Sequence, residues 1–191
     1  MPRYGLTGRT VAITGSTGGL GRALAAKLSR RGARLALMDL DGAAAATQAA
    51  ELGGDPVARA YTIDVRDHHS VQHAIDAAAT DFGQIDVVIA GAGIGKPRPA
   101  ELMDPAEFET TIDINLNGVY RTFKAALPHV AKTQGQLVAI SSMARSSTPR
   151  STPITPPARP ASGPCATACA SRSATSASPS QASTRPSSTP R

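Results

Sequence analysis

The apolar positions of the first 144 residues fall into short runs separated by stretches of helical spacing. Thr10–Thr14 is a β-branched run followed by glycines and reads as a buried strand. Leu20 to Leu28 carries apolar residues at helical spacing and closes on Arg30–Arg31, with Gly32 as the expected C-cap. Arg34–Asp39 reads as a second strand, and Gly42–Leu52 as an alanine-rich helix ended by Gly53–Gly54. Ala58–Ile63 follows as a third strand, His68–Phe82 as a helix ended by Gly83, and Asp86–Ala90 as a fourth strand. Pro105 suits a first helical turn and opens helical patterns that run to about Ala131, and Gln136–Ser141 reads as a fifth strand. Strand and helix alternate, and the strands are apolar on both faces. That combination predicts an α/β fold, a parallel sheet covered by helices and joined by right-handed crossovers.

The pattern stops at Arg145. Of the 47 residues from there to Arg191, 42 are Ser, Thr, Pro, Ala or Arg, and nine are proline. Such a segment cannot bury enough apolar surface to offset chain entropy, so 145–191 is expected to be a disordered tail behind a domain of residues 1–144. The break also changes the meaning of the charge. All 14 acidic residues lie before Arg145, with 14 of the 20 basic ones, so residues 1–144 are formally neutral and the six tail arginines supply the whole +6. A basic chain ordinarily suggests a nucleic-acid or membrane partner. Here the charge belongs to a segment without aromatics, and neither partner is expected. Both cysteines, Cys165 and Cys169, also lie in the tail, which suits a reducing cytoplasm. The first apolar run is too short for a signal peptide, and no run approaches the ~20 residues that span a bilayer.

The chemistry concentrates at strand ends. Thr14-Gly15-Ser16-Thr17-Gly18-Gly19-Leu20-Gly21 joins the first strand to the first helix. Glycines at such a junction let the backbone turn tightly and approach a pyrophosphate, whose charge rests on the helix N-terminus. Asp39 ends the second strand 18 residues after Gly21. A carboxylate there accepts hydrogen bonds from the adenosine ribose hydroxyls and repels a 2′-phosphate, or else it caps the helix that starts near Gly42. With Leu40 following and no basic residue inside the glycine loop, NAD is favoured over NADP.

Three residues between the first two glycines and one between the last two is the spacing of the short-chain dehydrogenase/reductase family, and the chain resembles that family from about residue 6 to 144. Asp64-Val65 resembles the pair that contacts adenine. Ala90-Gly91-Ala92-Gly93 resembles the Asn-Asn-Ala-Gly element after the fourth strand, with Gly91 in place of the usual Asn. Asn115-Leu116-Asn117-Gly118 carries the expected catalytic Asn at Asn115, and Ile140-Ser141-Ser142 carries the catalytic Ser at Ser142. The resemblance implies a Rossmann-type doubly wound sheet, strands one to five of the usual seven. It implies cofactor contacts at Gly15, Ser16, Thr17, Gly19, Leu20, Gly21, Asp39, Asp64, Val65, Gly91 and Ala92, with no metal. It further implies a small alcohol or carbonyl substrate and, for intact members, homo-oligomers. In that family a Tyr transfers the proton, a Lys four residues later lowers its pKa, the Ser polarises the substrate oxygen and the Asn supports a water relay.

The Tyr belongs 13 residues after Ser142, where Thr155 stands, and the Lys position is held by Arg159. The last Tyr in the chain is Tyr120 and the last Lys is Lys132. A phenol of ordinary pKa near 10 has to be tuned for acid–base work, so the chain is expected to be inactive without this pair. The genetic code offers a reason. The last base of an ATT codon for Ile154 with the first two bases of Thr155 reads TAC, a tyrosine codon. In that frame the codons from Thr155 to Ala166 permit Ala-Ala-Ser-Lys-Ala-Gly-Val-Trp-Ala-Leu-Cys, which resembles the active-site helix of the family. The tyrosine codon starts 38 bases after the Ser142 codon, and one lost base makes the 39 of 13 codons. The tail therefore reads as out-of-frame translation, and a strand five without its neighbours as an exposed apolar edge. A non-catalytic dinucleotide-binding module with a basic interaction tail is the alternative.

Other candidates are weaker. His69 and His73 stand four apart and could share a helix face, as metal ligands do, but no third ligand is evident and solvent-facing positions are expected. Lys96-Pro97-Arg98-Pro99 either borders the substrate or forms a solvated loop. Sequencing the coding DNA tests the frame: a single-base deletion between the Ser142 and Ile154 codons is expected, and an intact frame there refutes it.

Overall fold

In the computed structural model, residues 5–95 and 99–142 are described. Among them are β1 (Thr10–Thr14), α1 (Gly19–Ser29), β2 (Arg34–Asp39), α2 (Gly42–Glu51), β3 (Ala58–Thr62) and α3 (His68–Phe82). Then follow β4 (Val87–Ala90), a 3-10 turn at Ala100–Leu102, α4 (Pro105–Ile112), a π-helical segment at Asp113–Asn117, α5 (Gly118–Lys132) and β5 (Gln136–Ala139). All pairings are parallel and the strand order is β3-β2-β1-β4-β5. The chain thus winds outward from β1 through β2 to β3, then restarts beside β1 with β4. Period-two alternation divides the strands between two layers. Val11, Ile13, Leu35, Leu37, Val87 and Ile89 pack with Ala25 of α1 and Ala49 of α2 on one face. Ala12, Ala36, Met38 and Val88 pack with Val71, Ile75 and Ala78 of α3 and with Ala125, Ala126 and Val130 of α5 on the other. Burying each larger aliphatic side chain contributes about 1.5–3 kcal/mol, so the central strands hold most of the stability. This is the helix-covered parallel sheet expected from the alternation of elements, doubly wound as the resemblance implies.

The elements end within a residue or two of their sequence-predicted limits. Gly32 departs from expectation: α1 is capped by Arg30, and Gly32 lies two residues further on, at φ +77°. The expectation of strands apolar on both faces holds for β1 and β4, all of whose residues are buried, and for the four central residues of β2. It does not hold at the edges. β3 is only partly buried, and β5 alternates exposed and half-buried positions, leaving Val138 37% exposed. The expected tail at 145–191, with Thr155, Arg159, Cys165 and Cys169, lies outside the described residues, as does Lys96-Pro97-Arg98.

Below the sheet, at the amino ends of β1 and β4, Asp86 is 1% exposed. Its carboxylate accepts from Arg9 Nη1 at 2.7 Å, from the Thr10 backbone N–H at 2.8 Å and from Gln84 Nε2 at 2.8 Å. Asp86→Ala leaves the Thr10 N–H buried without an acceptor and is expected to cost about 3 kcal/mol. Urea denaturation should show the lowered midpoint, and Asp86→Asn should recover part of it.

Candidate functional site

In doubly wound sheets the crevice lies beyond the carboxyl ends of the strands, where the order reverses. Here that point lies between β1 and β4. Gly15, first after β1, adopts φ +72°, and a Cβ on it would come 2.7 Å from Ala92 Cα. A Cβ on Gly21 would overlap the Gly15 carbonyl oxygen, so only glycine lets α1 start this close to the strand. The N–H groups of Gly15 and Ser16 both donate to Met38 O, at 2.9 and 3.2 Å, tying the turn to β2. The Thr14 hydroxyl accepts from the N–H groups of Gly91 and Ala92, at 3.1 and 3.2 Å, tying the exit of β4 to the same turn.

Six glycine-loop residues, Gly15, Thr17, Gly18, Gly19, Leu20 and Gly21, line a cleft of about 560 Å³, a size suited to small-molecule or cofactor sites. A Cβ added at Gly19 meets nothing within 4 Å, so this backbone faces open space. Gly18 is the N-cap of α1, with no side-chain cap and no acidic residue in the first turn. The contrast with α2, α3 and α4 is direct. Asp41 caps α2, Asp67 caps α3 and Asp104 caps α4, each accepting a backbone N–H of its own first turn. The first turn of α1 therefore keeps orphan donors and its share of positive helix dipole for a ligand, an arrangement that fits a pyrophosphate.

The capping of α2 by Asp41 leaves Asp39 outside that role. Asp39 lines the cleft, with Oδ2 accepting from Thr17 N–H at 3.0 Å and Oδ1 from Asp41 N–H at 3.3 Å. Thr17, Asp64, Val65, Gly91 and Ala92 share the same lining. Ser16 does not. It is fully buried, its N–H is spent on Met38, and its Oγ has no hydrogen-bond partner. It holds the turn and presents nothing to the cleft, so the expected cofactor contact at Ser16 is not what the fold provides. At Gly91 a Cβ would come 2.6 Å from Thr14 O, so the departure from Asn accompanies a backbone approach too close for a side chain.

Asn115 is 3% exposed and not part of the cleft lining. Its Nδ2 donates to Ile94 O at 2.7 Å and its Oδ1 accepts from Ile94 N–H at 2.8 Å, which fixes the amide orientation. The π-helical segment sets this up. Gly118 N–H reaches back to Asp113 O, and the extra residue rotates the following helix by about 100° relative to an unbroken one. Ser142, exposed, follows β5, whose register sets Ala139 beside Ala90 and carries the chain to the edge where Gly91 and Ala92 begin.

Sequence reasoning missed part of the wall. Ile94 is an exposed large apolar residue on the cleft, Ile63 and Ile114 also line it, and Leu40, read from the sequence only for its bearing on NAD, is exposed on the same wall. An apolar residue after Asp39 and another after the Ala-Gly-Ala-Gly element were the available signals. Arg66 was missed too. Its guanidinium forks onto Asp64, Nε donating to Oδ1 at 3.0 Å and to Oδ2 at 3.1 Å, Nη2 to Oδ2 at 2.6 Å. The Arg66 N–H adds a bond to Oδ1 at 2.9 Å. These bonds from Arg66 hold the Asp64 carboxyl below its ordinary range. His69 and His73 are both exposed on α3. Among the described residues no group of three His, Cys, Asp or Glu could hold a metal ion, and no helix is long and apolar enough to cross a membrane.

The family model of the short chain dehydrogenases matches residues 9–152. The chain belongs to that family. It is 37% identical over 142 residues to D-threitol dehydrogenase of Mycolicibacterium smegmatis, covering 74% of this chain and 54% of that protein. It is 34% identical over 139 residues to a 2-dehydro-3-deoxy-L-rhamnonate dehydrogenase (NAD(+)) of a Sphingomonas species, covering 72% and 55%. Among solved structures, a 3-ketoacyl-(acyl-carrier-protein) reductase of Brucella melitensis complexed with NADH superposes with a TM-score of 0.69. That pair is 31% identical and covers 74% of this chain and 60% of the other. The structure of gox2181 gives 0.72 at 32% identity, covering 77% and 58%. The chain thus spans about half the length of the curated relatives it matches.

In this short-chain dehydrogenase sheet, Asn115 clamps both backbone groups of the segment that leaves β4. Asn115→Ala leaves the two Ile94 groups without those partners and is expected to cost about 2 kcal/mol. Hydrogen exchange should report faster exchange of the Ile94 amide, with the β1 and β2 amides little changed.

Proposed function

We propose that this chain carries the dinucleotide-binding half of an oxidoreductase that moves a hydride between NAD and an alcohol or carbonyl carbon. We propose further that the chain as it stands turns over no substrate. The observation that carries the reading is the uncapped N-terminus of α1, open on a cleft that the Asp39 carboxylate also lines. The printed names of one relative and one structural neighbour, which mention NAD(+) and NADH, support the same cofactor class.

The roles follow from chemistry. Gly15, Thr17, Gly19, Leu20 and Gly21 hold the pyrophosphate by close backbone approach. Asp39 accepts from the ribose hydroxyls, and its charge opposes a 2′-phosphate, which selects NAD over NADP. Asp64 and Val65 flank the base, and Gly91 and Ala92 border the inner part of the cleft. When bound, the nicotinamide supplies the hydride acceptor or donor. Ser142 donates its hydroxyl proton to the substrate oxygen, and Asn115 holds the β4 exit segment in register beneath it.

What the chain lacks is a proton carrier. Thr155 and Arg159 stand at the two positions where the reaction needs a phenol and an amine, and neither titrates usefully near neutral pH. Loss of general acid–base catalysis alone removes about 10²–10⁴-fold in rate. Residues 1–144 are then the functional domain, and residues 145–191 an out-of-frame translation whose charge, cysteines and prolines carry no message. The intact protein is a soluble cytoplasmic enzyme of homo-oligomeric habit.

Titration of the purified chain with NADH and NADPH should give NADH a roughly tenfold or larger advantage, and Asp39→Ala should bring the two within a few-fold of each other. No alcohol should be oxidised. Restoring one base between codons 145 and 153 should produce turnover that Ser142→Ala then reduces by about 10²–10³-fold. Tighter binding of NADPH, or turnover by the chain as it stands, contradicts the reading.

A further inference from the structure

One short segment joins the two walls of the cleft. Ile114, within the π-helical segment Asp113–Asn117, lines the cleft with Val65 from the turn after β3 and Ile94 from the exit of β4. On the β4 side, Asn115 closes its amide on both backbone groups of Ile94. On the β3 side the tie is Arg121. Its Nη1 donates to Val65 O at 3.3 Å and to Asp113 O at 3.4 Å, and its Nη2 donates to Asp113 Oδ1 at 2.8 Å. Asn117 Nδ2 donates to the same carboxylate oxygen at 3.0 Å.

The π-turn brings these groups together. Successive residues of an unbroken α-helix turn by about 100°, so positions eight apart stand about 80° out of line. One extra residue removes about 100° of that rotation, which sets Arg121 within about 20° of the face that carries Asp113. A long side chain then spans the two turns between them. The carbonyl it meets, Asp113 O, is also the acceptor of the Gly118 N–H that closes the π-turn. The start of α5 rests on the same wall, since a Cβ on Gly118 would come 2.9 Å from Val65 Cγ2. Exposed ion pairs contribute little. The Arg121 side chain is only 23% exposed, and its planar fork serves one carboxylate and two carbonyls, which a lysine ammonium does not match.

We propose that Arg121 is a positioning residue of the cleft. It holds the turn after β3 at a fixed distance from the segment that leaves β4, with the π-helical segment as the bridge. Arg121 is not among the residues that line the cleft, so it acts through Val65 and Asp113. A wall released from this tie has to be ordered again when a ligand binds, which weakens binding. The inference rests on the dinucleotide reading of the cleft.

Two measurements on the full chain test it. In amide hydrogen exchange, Arg121→Met should speed both the Gly118 amide and the Ile94 amide on the opposite wall, with the β1 and β2 amides little changed. With no tryptophan in the chain, NADH binding is read from nicotinamide fluorescence. Arg121→Met should bind NADH about tenfold more weakly at unchanged circular dichroism, a change of the size by which coupled sites alter affinity. Arg121→Lys should recover part of the loss. Adding Asn115→Ala to Arg121→Met should weaken binding little further than the stronger single effect, because each releases one end of the same bridge. Unchanged exchange at Ile94, unchanged NADH affinity, or losses that add in the double variant each overturn the proposal and leave the dinucleotide reading intact. No NADH binding by the folded parent overturns that reading and this proposal with it.

Discussion

The contact on which the site depends is the approach of Gly21 to the Gly15 carbonyl, which leaves no room for a Cβ. It allows α1 to begin five residues after β1 ends, so the first turn of the helix arrives at the switch point between β1 and β4. A bulkier turn would set the helix back from the sheet and separate its N–H groups from the carboxylates at the ends of β2 and β3. The same turn bonds to Met38 O on one side and presents the Thr14 hydroxyl to Gly91 and Ala92 on the other. Three strands are therefore registered by one loop. The fold and the cleft are the same construction seen at two scales.

The electrostatics of the cleft follow from where aspartates are spent. Asp41, Asp67 and Asp104 each satisfy the first turn of their own helix, which neutralises those three N-termini locally. The N-terminus of α1 has no such partner and faces the cleft. Asp39 and Asp64 line the same cleft, each already holding part of the wall in place, one through Thr17 and the other through Arg66. Positive dipole at one end and fixed carboxylates along the wall make a ligand with a central anion and flanking hydroxyls and base the natural occupant.

The far side of the sheet is built to a different standard. β1 and β4 are buried along their whole length, whereas β5 is half-exposed and α5 displays Tyr120 and Leu127 to solvent. These surfaces belong to a chain that covers 54% of the length of one curated relative and 55% of another. Among the described residues β2, β1 and β4 each lie between neighbours, and β3 forms the other edge of the sheet. The β5 side ends on a strand paired on one edge only.

The elements were legible in the sequence because periodicity is a local property. Runs such as Thr10–Thr14 and Arg34–Asp39, and the 3.6-residue spacing of His68–Phe82, declare strand and helix without reference to anything distant. The glycine turn and the position of Asp39 were legible for the same reason, since tight turns and strand ends are marked by residue type. Which side chains reach the cleft depended on the whole fold. Ser16 sits amid glycine-loop residues that line the cleft, yet it is buried, because the turn that brings Thr17 to Asp39 points its neighbour inward. Asn115, the catalytic Asn expected from the resemblance, lies within the π-helical segment and closes its amide on Ile94. Arg66 belonged to no motif and became part of the wall only once Asp64 and the turn before α3 were placed. Sequence by itself determined the order of elements, the glycine turn after β1 and the absence of any Tyr beyond Tyr120, since each is written in residue type and spacing. Tertiary structure decided which atoms face the ligand, since that is fixed by contacts between segments 20 to 80 residues apart.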